Sequence, residues 1–503
     1  MLSTVSGRFL IGASGPVPRR RLRRHLLCGG SLAALFVAGS GQAAQARPQF
    51  ESLMQALRSA AHPSAAGAQV NQAIAASRAA AAGAQALVQG AARFRSLQQT
   101  LAAQALQIGA APAGPVRDGI GAGGLLPAQG AVAGSSLWQN AALPVAGPPG
   151  GRVTVTVQQT APTAILNWNS FNVSANTSLV FKQATSKWVV LNRIVDDPTA
   201  SPSQILGSIT APGQVYVINQ NGVLFGRGVT VDLGALVAST ADIPDSSFIN
   251  TGLYSQNDTQ AAFAKAGRAG IIVQAGASIT TAAPTSVTDG GGFVLLMGGS
   301  VDNAGSISTP GGQVLLAAGQ GFILREGVGS DPGADPKATV VGIEPAVIGG
   351  GTVANTGILM AQDGDVTMVG AHVVQDGAAI SSTGVAQRGT VHLLTDLTDT
   401  SASVTLGPGS LTEILPDTSS ATAIQSLRSN TPVPTTFALN DSSRLADVPG
   451  LSRLEISSGG LVDFGAGAQT LLPGGQIAVL ARGSVFAESG SVLSVAGLDG
   501  VTL

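Results

Sequence analysis

The sequence keeps returning to one short phrase, a glycine or glycine pair followed by a brief apolar or β-branched run. Gly291-Gly292-Phe293-Val294-Leu295-Leu296 comes back about twenty residues later as Gly311-Gly312-Gln313-Val314-Leu315-Leu316, a period of solenoid scale. Asn303-Ala304-Gly305-Ser306-Ile307 returns as Asn355-Thr356-Gly357-Ile358-Leu359. Gly364-Asp365-Val366-Thr367-Met368 and Gly474-Gly475-Gln476-Ile477-Ala478-Val479-Leu480 replay the theme. Such runs are too short for helices, and their residue types favour strands. A unit of this size cannot bury its own apolar face, so it must stack on its neighbours. The fold class that follows is mainly β: a parallel β-helix, or single-stranded β-solenoid.

Composition agrees. The chain has 67 glycines, 44% hydrophobic residues and only 11% charged ones. High apolar content with little net charge excludes a disordered chain. A formal charge of -1 argues against a general nucleic-acid binder, which carries a basic surplus.

Taken in order, the chain divides into five stretches. Residues 1–46 read as a secretory signal peptide: Arg19-Arg20-Arg21 and Arg23-Arg24 form a basic start, an apolar run follows, and Ala44-Gln45-Ala46 is a small-residue cleavage site. The apolar run is too short to span a membrane, so the mature chain is expected to carry no stable transmembrane segment. Cleavage removes six arginines and no acid, taking the charge to -7. It also removes Cys28, the single cysteine, which excludes a disulfide scaffold and a cysteine zinc site. Residues 47–111 form an Ala-rich helical segment, with Phe94, Leu97, Leu101 and Ile108 at helical spacing. Residues 112–151 read as a Gly/Pro/Ala linker. Its Gly119-Ile120-Gly121-Ala122-Gly123-Gly124 matches the dinucleotide fingerprint only in letters, because no strand precedes it, and flexibility is the expected role. Strands begin at Val153-Thr154-Val155-Thr156-Val157, which alternates strictly. A short helix is expected over 259–265. Residues 331–337 and 397–434 lack the repeat and read as loops.

Residues 191–240 are the densest in motifs. They contain Asn192-Arg193, Ser203-Gln204-Ile205-Leu206-Gly207, Asn219-Gln220-Asn221-Gly222, Val223-Leu224-Phe225-Gly226 and Gly234-Ala235-Leu236-Val237-Ala238-Ser239-Thr240. Asn167-Trp168-Asn169-Ser170-Phe171-Asn172-Val173 precedes them. This ordered set resembles the amino-terminal two-partner secretion (TPS) domain of filamentous haemagglutinin-type exoproteins, departing at Gln220, where the family has proline. The resemblance implies a right-handed parallel β-helix, in keeping with the hand of strand crossovers. It implies a secretion domain over 152–265 and β-helix repeats over 266–503, continuing beyond the fragment. It also implies an adhesin-type exoprotein, secreted or at the cell surface after passing the periplasm and outer membrane. The implied partners are an outer-membrane barrel transporter with periplasmic POTRA domains and a host or neighbouring cell surface. The residues that match the recognition motifs are Asn192, Arg193, Asn219, Asn221 and Gly222. The local reading of the asparagines is that they hydrogen-bond backbone and tolerate turn angles.

No cofactor is expected, and no catalytic constellation is present. His25 belongs to the signal and His62 to the Ala-rich segment, while His372 and His392 lie among strands. The acid pair Asp196-Asp197 precedes Pro198 and reads as a turn. Three other readings stay open: the stalk of a contact-dependent toxin, a haem-acquisition exoprotein, and a β-helix polysaccharide-degrading enzyme.

Overall fold

The computed structural model describes residues 116–148, 151–195, 197, 199–257, 259–285, 290–326, 342–384, 387–417 and 450–497. The stretches read as a signal peptide (1–46), an Ala-rich helical segment (47–111) and a loop (331–337) lie outside the described residues. Within the described residues the chain winds as a parallel β-helix with three sides. One turn runs through Gly270–Val273, Ser278–Thr281 and Phe293–Gly298. The next, Ser300–Asn303, Ser306–Ser308 and Gln313–Ala318, lies directly upon it, with Val301 against Ile271, Ile307 against Ile279 and Val314 against Val294. The first side is a nine-stranded sheet. The second and third merge into one 22-stranded sheet, because Ser208–Ile218 and Thr230–Ser239 run unbroken across the corner between them.

The glycine repeat marks that corner. A Cβ on Gly292 would lie 1.9 Å from the Gly234 carbonyl oxygen, one on Gly312 1.7 Å from that of Gly292, and one on Gly364 2.2 Å from that of Gly312. Successive coils therefore approach too closely there for any side chain. Flanking residues alternate inward and outward, as strand geometry requires. On the third side one inward column reads Ala164, Val190, Val215, Leu236, Val294, Val314, Val366, Val391, Leu454, and all are buried. Each such side chain contributes about 1.5–3 kcal/mol by leaving water, and only because a coil lies on either side. On the first side, Asn303, Asn355 and Gln375 form a buried amide ladder. The Nδ2 of Asn303 donates to Asn355 Oδ1 (2.8 Å), and that of Asn355 to Gln375 Oε1 (2.7 Å).

Three expectations change. Residues 116–148, within the stretch read as a flexible linker, carry the strands Leu125–Pro127, Trp138–Gln139 and Val145–Ala146, which pair antiparallel with the first coil. Trp138 packs edge-on against Trp168, and Trp168 against Phe171. This cap covers the end of the core, and Gly119, Gly121 and Gly123 take positive φ in its turns. The helix lies at Asp245–Thr251 rather than 259–265, because Phe263 is needed in a strand, Phe263–Ala264, that buries it fully. Inside 397–434, Ser403–Leu406 and Leu411–Pro416 are regular rungs. Their inward residues Val404, Leu406 and Ile414 are few and set among polar ones, which hid the pattern.

A second core lies outside the coils. The antiparallel strands Phe263–Ala264, Gly321–Glu326 and Ile343–Ile348, the helix and the residues just after it bring Phe248, Leu253, Phe263, Phe322 and Leu324 against the outward face of the third side.

Candidate functional site

The asparagine motifs fall at two places on the early coils. Strand Ser208–Ile218 ends at Asn219, whose backbone N–H donates to the Ser239 carbonyl (3.0 Å). The buried Asn219 side chain then organises the turn. Its Oδ1 accepts from the Asn221 N–H (2.9 Å), and its Nδ2 donates to the Ser201 carbonyl (3.1 Å) and to Ser203 Oγ (3.0 Å). This is an Asx turn, and it steers the chain into Val223–Phe225 on the first side. Gly222 closes it at φ +111°, where a Cβ would meet the Gly270 carbonyl oxygen at 2.9 Å. Gln220, where proline was expected, is exposed at the tip, and nothing in the turn requires a ring there. Asn221 is partly exposed beside it.

Asn192 is the single polar residue in its inward column, which otherwise reads Leu166, Val217, Ala238, Leu296, Leu316, Met368, Leu393. A buried amide must be hydrogen-bonded. Asn192 Oδ1 accepts from the Trp168 indole N–H (3.0 Å), and its Nδ2 donates to the Tyr216 carbonyl (3.1 Å). It thus joins the capped coil to the next. Arg193 points the other way. Its Nε donates to Asp242 (2.8 Å), its Nη1 to Asp245 (2.7 Å) and its Nη2 to the Ile243 carbonyl (2.6 Å). Burial pulls its pKa down, but the charges and bonds of Asp242 and Asp245 prevail and hold the guanidinium above its ordinary range. Arg193 pins the start of the outer layer to the coil.

The five sequence-selected residues therefore do not form one cluster of free side chains. Asn192, Asn219 and Gly222 are buried, Arg193 is ion-paired, and Asn221 is partly exposed. Sequence reasoning missed Asp242 and Asp245, whose only signal was a pair of acids flanking Ile243-Pro244 just after the Ser239-Thr240 motif. Asp197 accepts from the Thr199 and Ser201 N–H groups (2.9 and 3.1 Å), the turn role read for it, while Asp196 lies outside the described residues. His372 is exposed and His392 buried. Among the described residues no group of three or more His, Cys, Asp or Glu is placed to hold a metal ion.

The family model for the TPS secretion domain matches residues 131–413, from the cap through most of the coils. The chain belongs to the TPS secretion domain family. It is 31% identical over 169 residues to the heme/hemopexin-binding protein of Haemophilus influenzae (strain ATCC 51907 / DSM 11121 / KW20 / Rd), a match covering 33% of this chain and 17% of that protein. A second Haemophilus influenzae protein of that name is 33% identical over 89 residues, covering 18% of this chain and 9% of the relative. These matches span under a fifth of the relatives' length. The crystal structure of the HMW1 secretion domain from Haemophilus influenzae aligns with 72% of this chain and 84% of that one, at 21% identity and a TM-score of 0.48. No helix among the described residues is long and apolar enough to cross a membrane.

Proposed function

We propose that this chain is the secretion module of an exoprotein exported across the outer membrane by a cognate TPS barrel transporter, whose periplasmic POTRA domains engage the early coils (152–265). The TPS family match over 131–413 carries this reading. Recognition centres on the 219–222 turn. Asn221 and Gln220 offer polar groups to the partner, while Asn219 and Gly222 set the turn's shape. Asn192 and Arg193 fix the neighbouring coil and the outer layer beside it. The parallel β-helix supports the energetics: each emerging coil gains most of its burial by stacking on the one before, so folding outside biases net movement outward without a nucleotide.

The whole exoprotein acts outside the cell or at its surface as an adhesin-type protein directed at host or neighbouring cells. A second reading, capture of a haem source, is favoured by the two relatives named for heme and hemopexin binding. The secretion reading is tested by expressing the full chain in a Gram-negative host with and without the transporter encoded nearest its gene. The expected result is transporter-dependent appearance in the medium. Asn221→Ala should lower it while the purified variant keeps its β signal and unfolding midpoint, and Asn219→Ala should lower both secretion and the midpoint. Secretion without any transporter, or none with every candidate, would sink the reading.

A further inference from the structure

The two ends of the β-helix are finished differently. At the amino-terminal end the antiparallel cap seals the core, and Leu125, Trp138 and Trp168 have no exposed surface. The cap strands are two or three residues long, with Pro127 and Pro144 in or beside them. Short strands with proline are poor templates for another chain.

The final coil is open. It runs through Gln476–Ala481 on the third side, Val485–Ala487 on the first and Val492–Ser494 on the second. Each strand pairs with the coil below and, among the described residues, with nothing above. The Gln476, Arg482, Glu488 and Val492 N–H groups donate to that lower coil. Peptide groups of successive residues turn to opposite edges of a strand. Those of Ile477, Val479, Ala481, Val485, Ala487 and Leu493 therefore face the open edge, and none has a hydrogen-bond partner among the described residues. The same residues continue the inward columns, so their apolar side chains form an uncovered top of the core. Val485 is 52% and Leu493 42% exposed, whereas Val462, one coil below Val485, is fully buried.

This surface is complementary to itself. A two-fold axis perpendicular to the helix axis, through the middle of the third side, brings two such ends together with all three sides matched. The rotation reverses chain direction, so the strands meet antiparallel. Gln476–Ala481 pairs with its own copy about Val479, and Val485–Ala487 meets the second copy's Val492–Ser494, a strand of equal length. Inward side chains stay inward, and the two apolar tops cover each other as successive coils do. The coil from Gln476 to Gly497 is also of the right size, since a standard interface uses about 20–30 residues a side.

We propose that this end binds a second copy of the chain, coil end to coil end, in a closed dimer. Because the far end of each copy is capped, the contact is isologous and does not propagate into a fibre. The proposal is independent of the secretion reading.

Sedimentation equilibrium of the full chain over a range of concentrations tests it. The expected result is a reversible equilibrium between one and two copies, with no larger species. Val485→Lys with Leu493→Lys places charges where the two tops meet. Both positions are already open to solvent, so the variant should be a monomer with the native unfolding midpoint. Val479→Pro deletes the N–H at the centre of the antiparallel pair, a group the chain does not use within itself. It should raise the dissociation constant about tenfold or more, the scale of two lost hydrogen bonds. Ile272→Lys alters an apolar residue on the outward face of the first side, 43% exposed, and should leave the dimer intact. A single-copy mass at every concentration, a ladder of species beyond two, or a dimer that survives the paired lysines would each overturn the proposal. So would native affinity in Val479→Pro or an equal loss in Ile272→Lys. The proline variant decides the matter even if the paired lysines prevent folding.

Discussion

One outward column of the third side runs the length of the described coils and changes character partway. It reads Ile165, Leu191, Tyr216, Val237, Leu295, Leu315, then Thr367, His392, Glu455, and ends at Ala478. The inward columns beside it stay apolar throughout, except at Asn192. The backbone is the same in both halves, so the difference lies in what covers the column. The early half is overlaid by the helix and the antiparallel strands, which make a second core. Beyond Leu315 the neighbouring outward positions carry a network in which Asp365 bonds Gln313, Thr367, Thr390 and His392, and a cavity opens. Inward residues are dictated by the solenoid, whereas outward residues record the local cover.

The largest test of this contrast is Asp365→Ala. It leaves the Gln313, Thr367, Thr390 and His392 donors buried without their acceptor, and breaking a buried polar pair on one side costs about 3–5 kcal/mol. A urea unfolding curve should show that loss, and a loss below about 1 kcal/mol would mean that water reaches the network freely. In the apolar half, Leu315→Ala should cost about 2–4 kcal/mol through lost burial and the cavity left behind. It sits one coil below Thr367 in the same column. If Leu315→Ala is nearly silent, the outer layer is not bearing on the coil, and the two halves do not differ as argued.

The inward alternation was legible because it repeats. Val314 and Val366, or Leu316 and Met368, can be aligned by eye once the preceding glycine is found, and the glycine itself announces the close approach of coils. The outer layer was not legible. Phe248, Leu253, Phe263 and Phe322 are spaced without a period, and their partners are residues on the outward face of strands that look ordinary. The same limit applied to the candidate site. Asn219 and Gly222 could be placed in a turn from residue type alone, and the turn is as expected. Nothing in Asn192-Arg193 reveals that the first faces the core and the second the outer layer, because that depends on strand register. Arg193's acids lie 49 and 52 residues away, far beyond any local pattern. The cap was missed because its strands are only two or three residues long and owe their pairing to the first coil.

The first side allows a finer comparison, between its amide ladder and the apolar rungs that follow. Asn303, Asn355 and Gln375 continue in register as Leu406 and Phe464. Asn355→Ala removes the middle member, strands Gln375 Oε1 and leaves Asn303 Nδ2 only its long bond to the Gly305 carbonyl (3.4 Å), at a cost of about 1–3 kcal/mol. Replacing all three by leucine should recover much of that loss, since apolar rungs already complete the same column. Comparing the unfolding midpoints of the single and triple variants decides whether the ladder is a stability device or only a satisfied set of polar groups.

The smallest expected effect concerns two acids in one coil. Asp365 is surrounded by donors, whereas Asp363, two residues earlier, accepts one side-chain bond, from Ser382 Oγ (2.8 Å). Burial pushes the Asp363 carboxyl up to about 6, against the opposing Ser382 bond and with a smaller upward push from the charge of Asp417. In the unfolded chain it titrates near 3.8. Between those values the folded state keeps a proton that the unfolded state has released. Stability from this group is therefore highest below about pH 4, falls as pH rises toward about 6, and stays lower above. Because the side chain is partly exposed, the shift is worth about 1–2 kcal/mol rather than its full nominal value. Asp363→Asn removes the titration, and asparagine tolerates the left-handed backbone found there, φ 48°. The variant should match the native chain near pH 4 and exceed it by that margin at pH 7. Parallel stability curves for the two proteins between pH 4 and 7 would show that Asp363 is effectively solvated, and that the two acids share an environment.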